Sequence, residues 1–397
     1  MQLTPEEFHE VAPEALQKIW AELSQRSLLQ FTQNAWPVIE PAVSLEVGWA
    51  MEAMCEHLEA VHKGEIKRLV INISPRCSKS RITRVMFPAW KWVNQPHHRF
   101  LSASYGIDLT TLDNLTLRRL VSSEWYQSSF GIGIAEDDGG KTGFSNTAGG
   151  SIRAVSIGTG KTTGYGADTF IIDDPINVAD ANQDSARTDA INWFKESAQS
   201  RLNSVKNGAI VLIMQRVHEE DVAAVAMEMG YEKLIIPMSW DEQFRHTTSI
   251  GWTDPRTRQG ELMWPERFPQ WYIDQQRENI GEYAYSAQYQ QTPVPRKGGL
   301  IQVDNIRVIN ELPDENFIAV RAWDLAGSEG KGAYTVGTRL LWGETSQQFY
   351  VADIQRKQLG GGGVRDLIQR MAEEDGITTK IVIPRDPGQA GKAQSED

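Results

Sequence analysis

Apolar positions along the chain alternate between helical spacing and short unbroken β-rich runs. Thr4, Pro5 and Glu7 supply an N-cap, a first helical position and a capping box, and Phe8, Val11, Ala15, Ile19 and Leu23 follow at helical spacing. A second helix is predicted from about Ser44 to Lys63, with Trp49, Met51, Met54, Leu58 and Val61 on one stripe and Gly64 at the position after its end. That stripe reads as core rather than as a cofactor box. The stretch Lys67–Val85, KRLVINISPRCSKSRITRV, starts as a buried strand, turns, and opens a helix running from Ser80 to Asn94. A strand at His98–Tyr105 and a helix at Asp108–Ser122 come next, then a loop or short hairpin over Gly131–Gly150. Strands are predicted at Ser151–Ile157, Thr169–Asp173, Ala209–Met214 and Lys233–Pro237, with a helix at Glu219–Met229. Such alternation implies an α/β fold with a parallel-rich sheet.

The pattern weakens over Trp240–Pro269, which is rich in Trp, Pro and Arg, and QTPVPRKGG (Gln291–Gly299) reads as a linker. Beyond it, strands at Ala319–Leu325, Thr335–Trp342, Gln348–Ile354 and Lys380–Pro384 and a helix at Val364–Asp375 predict a β-rich second domain. The expected division is a helical adaptor (1–64), an α/β core (65–240), a subdomain with linker (241–299) and a second domain (300–397).

Composition narrows the function classes. The chain has 397 residues, 40% hydrophobic and 23% charged, as globular domains do. No apolar run approaches the roughly 18 residues of a membrane span, and Met1–Glu10 lacks a secretory pattern, so a cytoplasmic protein is expected. Cys55 and Cys77 read as plain thiols, and His97 and His98, without a spaced partner, as a surface turn. A net charge of −12 argues against coating nucleic acid by bulk electrostatics, but leaves room for transient contact through local basic patches.

The candidate chemistry starts at Lys79-Ser80. A strand, a turn and a helix N-terminus carrying a lysine form a phosphate cradle of backbone N–H groups plus one point charge. Gly158-Thr159-Gly160-Lys161-Thr162 is closer to P-loop spelling, yet two glycines follow it and no helix can start there, so Lys79 is preferred over Lys161. Ile73 and Ser78 occupy the two glycine positions of the motif around Lys79, and a positive φ at Ser78 would cost about 1 kcal/mol. TFIIDDP (Thr169–Pro175) places Asp173 at the carboxyl edge of the sheet, where a carboxylate can hold Mg2+ while its neighbour orients a water. In the second domain Asp324 and Asp386, each ending a predicted strand, and Asp353 on a third suit metal-assisted phosphodiester hydrolysis.

Together these segments resemble the large terminase subunits of tailed bacteriophages over nearly the whole chain. ISPRCSKS is similar to the basic, glycine-poor turn of their ATPase motif, SIGTGKTTGYGADTFIIDDP to their glycine-rich stretch and Walker B strand, and IMQRVHEEDVAA to their coupling segment. AQYQQTPVP resembles their interdomain linker, and AWDLA and RDPGQAGK two metal-binding segments of an RNase H-like nuclease. The resemblance implies a RecA/ASCE-like P-loop ATPase domain followed by an RNase H-like nuclease domain. It places Pro75, Arg76, Cys77, Ser78, Lys79 and Ser80 around ATP, Ser80 and Asp173 on Mg2+, and Asp174 as the base, one methylene shorter than the glutamate of many relatives. Gln215 and Arg216 become coupling residues, Arg118 or Arg119 a trans-acting arginine, and Asp324, Asp386 and Asp353 ligands of nuclease Mg2+ or Mn2+. Ala333 stands where relatives carry another aspartate, and the chain stops at Asp397, before a late aspartate-rich segment, so a truncated nuclease with weak or no cutting is expected. The implied setting is the host cell cytoplasm. The implied partners are double-stranded DNA, a portal protein and a small terminase subunit, the chain being a pentamer on the portal and a monomer in solution. A RecA-like helicase or repair ATPase, and a catalytically degenerate structural component, remain alternatives.

Overall fold

The computed structural model describes residues 13–136, 140–157, 164–294, 306–326 and 334–383. The predicted cap at Thr4, Lys161, Ala333 and Asp386 lie outside them. The chain divides into two compact units, residues 1–305 and 306–397.

In the first unit the opening helix is α1 (Pro13–Arg26), and α2 (Leu28–Ile39) follows after Ser27, whose side chain accepts the Gln30 N–H. α3 (Trp49–Lys63) starts later than the expected Ser44, because Gly48 is its extended N-cap and sits against the Trp264 ring, 3.2 Å from where a Cβ would be. It ends at Gly64 with φ +79°, as the spacing predicts. β1 (Arg68–Ile73) runs through the turn at 74–78 into a helix whose first turns, Arg81–Met86, are π-wound before α4 (Phe87–Asn94). β2 (Arg99–Ser104), α5 (Ile107–Val121) and a short α6 (Glu124–Phe130) come next, then β3 (Gly143–Ser145) inside the predicted loop. β4 (Ser151–Ser156), β5 (Thr169–Asp173), α7 (Asp184–Asn192) and β6 (Ala209–Met214) follow. α8 (Val222–Glu228), β7 (Glu232–Ile236) and α9 (Gln270–Gln288), broken at Gly281, complete the unit. α8 begins after the expected Glu219 because Asp221 is its N-cap, accepting the Ala224 N–H at 3.0 Å.

The seven strands lie in the order β3-β4-β2-β5-β6-β1-β7, every described pairing parallel except β3 with β4. Alternate residues of each strand enter different cores. Leu69, Ile71, Ile171 and Ile213 pack with α2, α3 and α4 on one face, while Val70, Ile172, Leu212 and Met214 pack with α7 and α8 on the other. Burial on both faces explains why the strands read as unbroken apolar runs.

The weakly periodic stretch after Trp240 belongs to this unit. Its Leu262, Met263, Trp264 and Phe268 join the first core, and it is organised by the buried Arg256 rather than by a helix or strand. Arg256 pairs with Asp254 at 2.7 Å, donates to the Met238, Glu261 and Pro237 carbonyls, and stacks over Trp49 and Trp240. Charge-assisted bonds from one planar fork replace periodic packing.

The second unit is a four-stranded sheet with one described helix. β8 (Phe317–Asp324), β9 (Thr335–Gly343) and β10 (Phe349–Lys357) form an antiparallel meander, and α10 (Gly361–Asp375) leads to β11 (Thr379–Val382), parallel to β8. Its buried apolar centre is small: Trp323, Leu367 and Met371. The buried Arg321 on β8 adds a polar staple to Asp375 at the end of α10, with one nitrogen 2.9 Å from that carboxylate, and to Asp353 at 2.9 Å. Its hydrogen bonds hold the Asp375 carboxyl below the usual carboxylate range. A carboxyl with a lowered folded pKa stabilises above its unfolded pKa, and that contribution is lost as pH falls through the folded one. Asp375→Asn is therefore expected to cost about 3 kcal/mol at neutral pH, and the gap to wild type should begin to narrow below about pH 4 and go on closing as pH falls through the folded pKa. Denaturant melts of the full chain at pH 7 and about pH 2.5 check this; an equal gap at both pH values would refute it. No helix among the described residues is long and apolar enough to cross a membrane.

Candidate nucleotide site

The turn after β1 is held in a strained shape. Arg76 has φ +65° and Ser78 φ +58°, both in the left-handed region, and Asp174, just past β5, has φ +41°. Three of the five described non-glycine residues with positive φ thus lie at the ends of β1 and β5, the two strands that flank β6. Each costs about 1 kcal/mol or more, a cost that clusters where geometry serves chemistry. The anticipated strain at Ser78 is present, and the chain carries it at Arg76 and Asp174 as well.

β6 lies between β1 and β5, so the carboxyl ends of three adjacent strands meet at one edge. Lys79, on the first helical turn and 8% exposed, reaches across to Asp174, its Nζ 2.9 Å from Oδ1. The same Oδ1 accepts the backbone N–H of Gln215 at 3.3 Å. Burial, opposed by Lys79 and reinforced by Asp173, pushes the Asp174 carboxyl up to about 6. Pro75 and Ser80 are partly buried, and Arg76 is exposed. Cys77 is buried, and burial pushes its thiol up to about 12, which makes it a packing residue of the turn rather than a reactive one.

Asp173 continues the alternation of β5 and faces the π-wound turn. Its Oδ2 is 3.2 Å from Nη1 of Arg84, which is 1% exposed, and the same Nη1 lies 3.2 Å from Asp113 on α5. Asp113 pairs in turn with Arg81 at 2.8 Å, and Arg81 with Glu40 at 3.2 Å. This chain of alternating charges from Glu40 to Asp173 is absent from the sequence reading. The usable signal is that Arg84 and Asp113 fall on buried stripes of their helices, where a charge survives only when paired.

The Asp173 Oδ1, buried, has no hydrogen-bond partner, and neither has the Gln215 Oε1. A buried anionic oxygen left over in this way suits a hydrated Mg2+. Among the described residues no group of three or more acidic, His or Cys side chains could form a cage by itself. An ion held mainly by substrate phosphates needs one or two protein groups, and Asp173 and Ser80 are the residues here that could supply them. Gln215 and Arg216 have different surroundings. The Arg216 guanidinium is committed to Asp221 at 2.9 Å and to the His218 and Glu219 carbonyls, whereas Gln215 touches Asp174 through its backbone N–H. Of the arginines considered for a trans-acting role, Arg118 is partly buried and Arg119 exposed.

In the second unit Asp324 is exposed at the carboxyl end of β8. Asp353, on β10, is engaged by Arg321 and by the Gln355 amide at 3.1 Å. The described residues do not gather the three expected carboxylates, since Asp386 lies outside them.

No protein-family model matches the sequence, and no curated protein matches it. Among solved structures the chain is similar to the large terminase of a thermophilic bacteriophage in complex with ADP, with 12% identity, covering 85% of this chain and 78% of that one at a TM-score of 0.38. A mutant of the Thermus phage P74-26 large terminase ATPase domain is similar with 15% identity, 60% of this chain and 93% of that one covered, and a TM-score of 0.41. The large terminase of bacteriophage HK97 has 12% identity, with 91% and 74% covered and a TM-score of 0.43.

Proposed function

We propose that the first unit is the ATP-hydrolysing engine of a phage DNA-packaging motor, the large terminase subunit. The observation that carries the reading is the Lys79–Asp174 pair at the adjoining ends of β1, β6 and β5, behind a left-handed turn that opens a helix. The turn's backbone N–H groups and Lys79 bind the β- and γ-phosphates of ATP. Ser80 and Asp173 are the residues that would hold a Mg2+, which would supply positive charge against the phosphates. Lys79 exchanges Asp174 for phosphate oxygens when the triphosphate arrives, and the freed carboxylate accepts a proton from the attacking water. Arg84 holds one Asp173 oxygen and leaves the other, buried and without a partner, available to such an ion.

Movement of double-stranded DNA into a procapsid, docking on a portal protein as a pentamer, and delivery by a small terminase subunit in the host cytoplasm follow from the resemblance of the motifs. The second unit is read as a nuclease of RNase H type, supported by a meander with a fourth strand parallel to its first and by Asp324 at the end of β8. The full chain should hydrolyse ATP with Mg2+, faster when double-stranded DNA and procapsids are added. Folded protein without turnover under both conditions would end the reading. Plasmid nicking with Mn2+, abolished by Asp324→Ala and untouched by Lys79→Ala, tests the nuclease part.

A further inference from the structure

The three residues that follow α9 gather the ends of three parallel strands. The Tyr289 carbonyl accepts the Ser74 hydroxyl at 3.0 Å, from the turn after β1, and the Met238 N–H at 2.8 Å, from the exit of β7. Gln290 exchanges two hydrogen bonds with the Ser239 backbone, at 2.8 and 3.2 Å. Gln291, 2% exposed, turns its Oε1 onto the Arg216 N–H at 3.0 Å, beyond β6, while its amide donates to the Gln288 carbonyl at 2.7 Å. It does so with φ +57°, a left-handed conformation that a glutamine adopts only when its surroundings demand it.

Gln215 is therefore pinned on both sides: its own N–H rests on Asp174, and the next N–H along the chain on Gln291. Its side chain, with the Oε1 buried and unpartnered, is aimed by those two anchors. We infer that Gln291 is a positioning residue for ATP hydrolysis, acting through Gln215. It fixes the peptide after β6 so that Gln215 is presented to the Asp174 side of the site. The inference rests on the nucleotide-site reading above. Because Gln291 is also the point where the chain leaves α9 for residues 292–294, the path of that exit and the setting of Gln215 are mechanically one.

Steady-state ATP hydrolysis by the full chain tests this with four variants. Gln215→Ala lowers kcat, and Gln291→Met, close in shape but without the acceptor, lowers kcat on the order of tenfold with KM for ATP within about twofold, less than the ~10²-fold cost of a full ångström of misplacement. The double variant loses no more than Gln215→Ala alone, as two residues on one line of action must. Gln291→Gly, for which a positive φ is free of strain, stays folded and shows the same fall in kcat, which separates loss of the side chain from loss of stability. Unchanged kcat in the Gln291 variants, no effect of Gln215→Ala, or losses that multiply in the double variant overturn the assignment. If Lys79→Ala also keeps full turnover, the nucleotide-site reading has failed as well; if it is inactive, only the role of Gln291 falls.

Discussion

Replacing Lys79 by alanine is expected to abolish ATP hydrolysis, lowering kcat on the order of 10³-fold, while the chain stays folded. The lysine is nearly buried, and its one described ion pair is with Asp174, so its charge works at the strand ends and nowhere else. Its removal takes away the one side-chain cation that, among the described residues, rests on Asp174 and leaves a carboxyl that burial already drives toward protonation. Lys79→Arg should be inactive as well, since a planar fork on a longer stem cannot take the place of a compact ammonium in a turn this tight. Phosphate release at saturating ATP and Mg2+ measures the effect, with a thermal melt to establish folding. Turnover at the wild-type rate in Lys79→Ala would move the phosphate site to Lys161.

The second large effect is structural. Arg84→Met should destabilise the first unit by about 3–5 kcal/mol, because it leaves the Asp113 and Asp173 carboxylates buried without the guanidinium that joins them. Burial already raises the pKa of Asp113, and loss of Arg84 removes the largest opposing influence. Adding Asp113→Asn to Arg84→Met should recover part of the loss by deleting one of the two buried charges, the one that Arg81 still partly offsets. Denaturant melts of the two variants decide the point. A cost of under about 1 kcal/mol for Arg84→Met would mean that water already reaches the pair.

The strands were the most legible part of the chain. β5 and β6 start and end where their apolar runs predict, because a strand buried on both faces has no polar positions to blur its limits. Helices with a broken pattern were harder to read. α2 carries Pro37 in its interior, and α9 is interrupted by Gly281, so neither shows one continuous stripe. The stretch around Arg256 has no period at all, since its order comes from a single side chain reaching three carbonyls. At the site, Lys79, Asp173 and Asp174 were visible through the spacing of strand, turn and acid. Arg84 and Asp113 were not, because their partners lie far away in sequence and a lone charge on a helix reads as solvated. Gln291 read as the start of a linker, and nothing local to it reveals that Arg216 is its partner.

The strand order also sets when the site can exist as the chain is synthesised. β1 is made first, yet its two neighbours, β6 and β7, are the last strands of the sheet to be made. Until residue 214 has emerged from the ribosome β1 has both edges unpaired, and until residue 236 one of them, so the turn it carries lacks its full scaffold. Tyr289, which takes the Ser74 hydroxyl, arrives later still. A nascent chain that stops short of α9 therefore holds the phosphate turn without its supports, and an open apolar strand is the part of it most exposed to misassociation.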